Sequence, residues 1–192
     1  MSQARGSSCS LLDANSPSGL IPRHETRSSC VLVMEGNQVL GIFTERDIVW
    51  LTADGMNFEG IKLAEVMSQP VITLARANFQ DAFAAIFLFR RYRIRHLVIV
   101  DDQNQLVGIV SPESIRRILQ PANLLKLRRV ADVMMIQVIH APLTASVLSL
   151  ARLMAEQRVS CVVITQDNGN GGFLPLGIVT ERDIVQFQAL QI

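Results

Sequence analysis

The sequence predicts an α/β fold built from tandem repeats, each ordered strand, helix, strand, strand, helix (β-α-β-β-α). Three observations carry that prediction. The phrase Gly41-Ile-Phe-Thr-Glu-Arg-Asp-Ile-Val49 recurs as Gly177-Ile-Val-Thr-Glu-Arg-Asp-Ile-Val185, with a weaker copy at Gly108-Ile-Val-Ser-Pro-Glu-Ser-Ile115. The spacing recurs too: Gly41 to Val66 and Gly108 to Val133 both span 25 positions, and each interval ends in a matching phrase, Ala64-Glu-Val-Met67 and Ala131-Asp-Val-Met134. Upstream of the glycines, Ser29-Cys30-Val31, Ser160-Cys161-Val162 and Arg95-His96-Leu97 open apolar runs at the same place in each copy. Self-similarity at a period of about sixty residues is the mark of a repeat architecture.

The last copy gives the elements in order. Val138-Ile139 reads as a short strand. Ser146 to Gln157 carries Val147, Leu150, Ala151 and Met154 on one helical face, with Thr144 placed to cap it. Cys161 to Thr165 and Leu176 to Val179 are rich in β-branched residues, and Gln166-Asp-Asn-Gly-Asn-Gly-Gly172 between them is turn chemistry, so the two form a hairpin. Glu181 to Ala189 follows as a second helix. The middle copy fits the same template through Ala82, Ala85, Ile86 and Phe89. The first has only the hairpin and last helix, about Arg27 to Ala53.

The division that follows is a disordered Ser-rich tail (1–23), an incomplete repeat (24–60) and two whole repeats (61–127 and 128–192). A half repeat at one end, and a chain that stops soon after the last helix, read as a piece of a longer regulator or a reading frame with a misplaced start.

Composition narrows the function. The chain has 192 residues, 49% apolar and 18% charged, with a net charge of +1 and a pI near 7.8. That supports a substantial core but gives no overall field for nucleic acid or anionic membranes. Apolar runs such as Ala82 to Phe89 stop well short of the roughly 20 residues of a membrane span, and no apolar signal segment opens the chain, so a cytoplasmic protein is expected. Cys9, Cys30 and Cys161 form no ligand-spaced cluster, and their odd number argues against a disulfide framework. Cys30 and Cys161 are expected to be buried as small apolar residues.

With these residues in view, the sequence resembles the CBS domain family, named after cystathionine β-synthase. The features are the V-M lead followed by V-I, the amphipathic helix, the S-C-V-V-I strand and the G-I-V-T-E-R-D-I phrase, together spanning residues 27 to 190. The resemblance implies a regulatory Bateman module, in which two repeats pack sheet against sheet about a pseudo-two-fold axis. It also implies clefts for adenosine-containing ligands such as AMP, ADP, ATP or S-adenosylmethionine, with no cofactor required. The phrasing is especially similar to tandem repeats of bacterial signalling proteins, which implies an output domain, a sensor kinase or a cyclic-dinucleotide enzyme, in cis or in trans.

The resemblance also implies the site. Thr180 and Asp183 would hold the ribose hydroxyls, because a carboxylate accepts from both members of a vicinal diol and a helix N-terminus favours anions. Ile139, His140 and Ala141, with Ser160, Cys161 and Val162, would meet adenine through backbone groups and apolar contact. Thr44 and Asp47 repeat the pair in the first copy, whereas Ser114 replaces the aspartate in the middle one. Arg95 and His96 would reach the phosphates of a ligand held by a partner repeat.

Each residue also has a structural explanation. Thr-x-x-Asp fits a capping box. Arg90 and Arg91 fall in the last turn of a helix, where cations offset the dipole. His140 reads as a partly exposed loop residue, since His24, His96 and His140 have no metal-ligand spacing. No G-x-S-x-G, H-E-x-x-H or phosphate-loop motif supports catalysis.

The leading expectation is therefore a non-catalytic sensing module that is not an enzyme. A dimerisation platform with a vestigial pocket is the alternative, and nucleic-acid binding through Arg90 to His96 the third. Either the two whole repeats pair with each other, or the middle one pairs with the first and leaves the last to a partner chain. The second arrangement leads to an expected homodimer.

Overall fold

The structure, a computed structural model, describes residues 9–13, 29–58, 60–79, 82–119, 129–132 and 134–189. It divides into two compact units, Met1–Phe43 with Ile61–Arg129 and Thr44–Gly60 with Val130–Ile192. Most of the tail expected to be disordered lies outside the described residues.

The first unit holds two three-stranded sheets. One has the order β1 (Cys9–Asp13), β2 (Cys30–Glu35), β3 (Gln38–Thr44). A short helix α2 (Leu63–Val66) leads to the second sheet, β4 (Thr73–Ala75), β5 (Leu97–Val100), β6 (Leu106–Val110), with helices α3 (Ala82–Tyr92) and α4 (Pro112–Leu119). In β2 and β5 every residue from Cys30 to Met34 and from Leu97 to Val100 is buried, as uninterrupted apolar runs covered on both faces should be.

Alternation along each strand decides what covers each face. Leu97 and Ile99 point to Ala85 and Phe89 of α3 and Ile115 of α4. Val98 and Val100 point the other way and pack on Leu32 and Met34, flanked by Val39, Ile42, Leu106 and Ile109. The middle copy thus pairs sheet to sheet with the first.

The second unit combines β7 (His140–Pro142), β8 (Cys161–Asp167) and β9 (Phe173–Thr180) with helices α5 (Val147–Gln157) and α6 (Glu181–Ala189), and with α1 (Glu45–Ala53) of the first copy. Its core is Val49 of α1 packed with Ala141, Leu150, Ala151, Met154, Val162 and Ile184. Three of the four residues on the expected face of α5, namely Leu150, Ala151 and Met154, are buried, and Val147 packs at the edge.

Some elements differ from the sequence reading. The first copy does have a leading strand: Cys9–Asp13 pairs in parallel with β2, from Cys9↔Cys30 to Asp13↔Met34. Five residues among serines show no apolar period, so the partner strand specifies this one. The strand expected at Val138-Ile139 lies at His140–Pro142, because the ladder to β8 begins with His140↔Val163 and the small Ala141 fits beneath the helices. The cap of α5 is Ser146, two residues beyond the expected Thr144: the helix begins at Val147, and the Ser146 hydroxyl accepts from the Ser149 N–H at 3.1 Å. The matched cysteines also differ. Cys161 is a half-buried free thiol, whereas Cys30 is disulfide-bonded, so burial alone does not account for Cys30.

Candidate functional site around the Thr-x-x-Asp helices

β9 runs directly into α6 at Thr180, and β3 into α1 at Thr44. In both places the aspartate three residues on folds back over the helix start. The Thr180 N–H donates to Asp183 Oδ2 at 2.8 Å, and the Thr180 hydroxyl donates to the same oxygen at 2.6 Å. Thr44 makes the same two bonds to Asp47 Oδ2, at 2.7 and 2.6 Å. At Thr44 the capping box is complete, the threonine side chain also accepting from the Asp47 N–H, and at Thr180 the half in which the aspartate accepts from the cap N–H is formed. Because both bonds fall on Oδ2, the threonine holds the Asp183 carboxylate by one oxygen. Asp183 is exposed and Asp47 half-buried.

In the middle copy the serines close on themselves. Ser114 Oγ accepts from the Ser111 N–H at 2.7 Å and donates to the Ser111 carbonyl at 2.8 Å. No carboxylate is present, and the hydroxyl proton is already committed.

The strands then assemble a rim around α6. Cys161 lies opposite Thr180 in the ladder, and the Glu181 N–H donates to the Ser160 carbonyl at 3.0 Å. This brings Ser160, Cys161, Thr180 and Asp183 to one end of the sheet. Ile139 joins through its carbonyl, which accepts from the Val163 N–H at 3.0 Å. His140 sits on a strand rather than a loop. Its Nδ1 is 3.1 Å from Thr165 Oγ1, and its ring lies 4.4 Å from that of Phe173.

Ala141 and Val162 are 7% and 0% exposed, with side chains in the core against α5, so strand alternation leaves them only backbone groups to offer a ligand. Arg95 and His96 belong to the other unit, where the His96 imidazole Nε2 is 2.9 Å from Ser29 Oγ. Of the remaining basic stretch, Arg91 stands over the rings of Phe87 and Tyr92 at 6.0 and 5.8 Å, an intrahelical use of the charge.

Sequence reading missed the middle residues of the phrase. Arg46 Nε lies 3.4 Å from Glu181 Oε1, and Arg182 Nε lies 3.1 Å from Glu45 Oε1. The two Thr-Glu-Arg-Asp phrases thus bind each other reciprocally, glutamate of one to arginine of the other. Their identity in two copies was the available signal, since a pair related by approximate two-fold symmetry needs the same residues on both sides.

Among the described residues, no group of three His, Cys, Asp or Glu could hold a metal ion, and no helix is long and apolar enough to cross a membrane.

The CBS domain family matches residues 63–121 and 130–190, more than half of the chain, and the protein belongs to that family. An uncharacterized protein of Methanopyrus kandleri is 37% identical over 91 residues, which is 47% of this chain and 45% of that protein. A homoserine O-acetyltransferase of Methanococcus vannielii is 32% identical over 85 residues, 44% of this chain but only 17% of the enzyme. The chain spans less than half the length of the curated relatives it matches. The crystal structure of a Methanocaldococcus jannaschii protein resembles it with a TM-score of 0.69 and 24% identity, over 87% of this chain and 66% of that one, a likeness of fold.

Proposed function

We propose that the chain is a non-catalytic regulatory CBS module that binds an adenosine-containing ligand, such as AMP, ADP, ATP or S-adenosylmethionine, at the end of the third sheet. The ribose diol donates to Asp183, the base lies against Ile139 and the backbone of Ser160 and Cys161, and the ligand's charge sits near the N-terminus of α6. Thr44 and Asp47 form a second candidate of the same kind on α1. Arg95 is a candidate phosphate contact for a ligand held by a partner repeat, and His96 would first have to leave Ser29. By favouring one arrangement of paired repeats, the ligand biases an output domain in cis or in trans. We place this module in the cytoplasm as a homodimer.

One observation carries the reading. Asp183 is an exposed carboxylate held in place through a single oxygen, at a helix N-terminus and beside open strand ends. A helix cap alone requires no such rim. Support for a regulatory role comes from family membership and from the enzyme relative, in which the matching segment is a minor part of the length.

The rival reading is a dimerisation platform, favoured by the fact that the box at Thr44 is complete without a ligand and that Asp183 already accepts from the Thr180 N–H. A thermal-melt screen of the parent and Asp183→Ala against the four ligands separates the two. Ligand at a hundred times its dissociation constant adds about 2.7 kcal/mol, about 5 to 10 °C for a chain of this size. A shift in the parent that vanishes in the variant supports the sensor. No shift with any ligand supports the platform.

A further inference from the structure

The turn between β8 and β9 contains two asparagines each followed by glycine, Asn168-Gly169 and Asn170-Gly171, and the sequence has no other Asn-Gly pair. An Asp-Gly pair with related chemistry, Asp54-Gly55, lies just past the end of α1. In such pairs the glycine backbone nitrogen can close on the side-chain carbonyl carbon of the residue before it, because glycine has no side chain to obstruct the five-membered ring. Closure requires that this nitrogen be free to give up its proton and that the side chain be free to turn toward it.

In two of the three pairs the glycine nitrogen is engaged. The Gly55 N–H donates to the Thr52 carbonyl at 3.0 Å, and the Gly169 N–H donates to Asp167 Oδ1 at 2.8 Å. A carboxylate is far too weak a base to take an amide proton, and the charge of Asp167 disfavours the amide anion beside it. The Asn168 side chain is held as well: its Oδ1 accepts from the N–H groups of Asn170 and Gly172, both at 3.0 Å. Its Nδ2 sits so close to Gly172 that a Cβ there would lie 2.8 Å from it. Turning this amide toward Gly169 would strip both bonds from Oδ1. Asn170 differs on each count. It is exposed, and among the described residues neither its side-chain amide nor the Gly171 N–H has a hydrogen-bond partner. Gly171 has a φ of +76°, and a Cβ on it would meet nothing within 4 Å.

We infer that Asn170 is a site of covalent self-modification, deamidating through a cyclic imide with Gly171, while Asn168 and Asp54 stay intact in sequences of the same kind. The Gly171 nitrogen attacks Cγ of Asn170 and a bond forms between them. The bond from Cγ to Nδ2 breaks, and Nδ2 leaves as ammonia, taking up the proton that the glycine nitrogen released. Water then opens the imide at either carbonyl, which yields aspartate or isoaspartate; no other co-reactant is needed. Either product places a new carboxylate in the turn close to Asp167, and isoaspartate also adds a methylene to the backbone that joins β8 to β9.

The test incubates the full chain in mildly alkaline buffer, with a parallel sample in urea, and maps both by tandem mass spectrometry after digestion at acidic pH, where ring closure is slow. In the folded chain Asn170 should gain the mass that separates a carboxylate from an amide about tenfold faster than Asn168, which is about 1.4 kcal/mol of barrier. The product should be a mixture of aspartate and isoaspartate, and in urea the two rates should converge. Asn170→Gln, whose longer side chain can close only a larger and slower ring, should leave the turn unmodified. Equal rates in the folded chain, or a faster Asn168, overturn the inference. A turn that stays intact in the folded chain while the urea sample reacts overturns it as well. A preference for Asn170 that persists undiminished in urea also overturns it, since the local sequence rather than the fold would then set the difference.

Discussion

Arg46 meets the carboxylate of Glu181 at 3.4 Å, and Glu181 is 4% exposed at the first turn of the opposing helix. The reciprocal pair, Arg182 to Glu45, is 3.1 Å long, but its arginine is 62% exposed. The same two residue types therefore meet twice in different dielectric surroundings, and their energetic weight should differ accordingly.

Glu181→Ala should destabilise the fold by about 1–3 kcal/mol, because it removes a buried acceptor from a charge-assisted contact. Arg182→Ala should stay within about 0.5 kcal/mol, as exposed ion pairs usually do. Urea unfolding of both variants checks the contrast. Equal effects would show that burial does not distinguish the pairs.

Gly41→Ala should cost about 1–3 kcal/mol, since the added methyl enters space held by Met67. Gly108→Ala, at the matched position with nothing within 4 Å, should be neutral or slightly stabilising. Thermal denaturation of the two variants measures the difference, and a neutral Gly41→Ala would mean that Met67 moves aside freely.

Ser114→Asp should restore to the middle copy the box seen at Thr44 and Thr180. Adding an anion to the first turn of α4 should stabilise by about 0.3–1 kcal/mol. If the aspartate is what the middle cleft lacks, calorimetry should also find an additional binding event in this variant. Stabilisation without new binding would limit the residue to capping.

Much of the fold was legible because the chain states it more than once. The three glycine phrases marked the hairpins and the last helices, and the bounds of α6, Glu181–Ala189, match the helix expected after the last hairpin. Elements specified by tertiary contact were not legible. β1 has no periodic signal and exists through pairing with β2, while the start of β7 depends on which residue can sit under α5. Nor could the sequence choose between the two pairings of repeats, because Val98 and Val163 are the same residue on the same kind of strand. The site was legible as residue types and not as geometry. The period places Val162 in a strand but does not say which face looks inward, and the role of Glu181 appeared only once α1 and α6 were side by side.

The central claim is that Asp183 holds a ribose diol, and calorimetric titration of the parent and Asp183→Asn with AMP and with 2′,3′-dideoxy-AMP tests it most directly. The account predicts that removing the diol and removing the carboxylate's charge each weaken binding at least tenfold, about 1.4 kcal/mol. It also predicts that the two losses are not additive, because they delete the same contact. Undiminished binding of the dideoxy ligand, or of AMP by Asp183→Asn, would contradict the claim and leave both Thr-x-x-Asp phrases as helix caps.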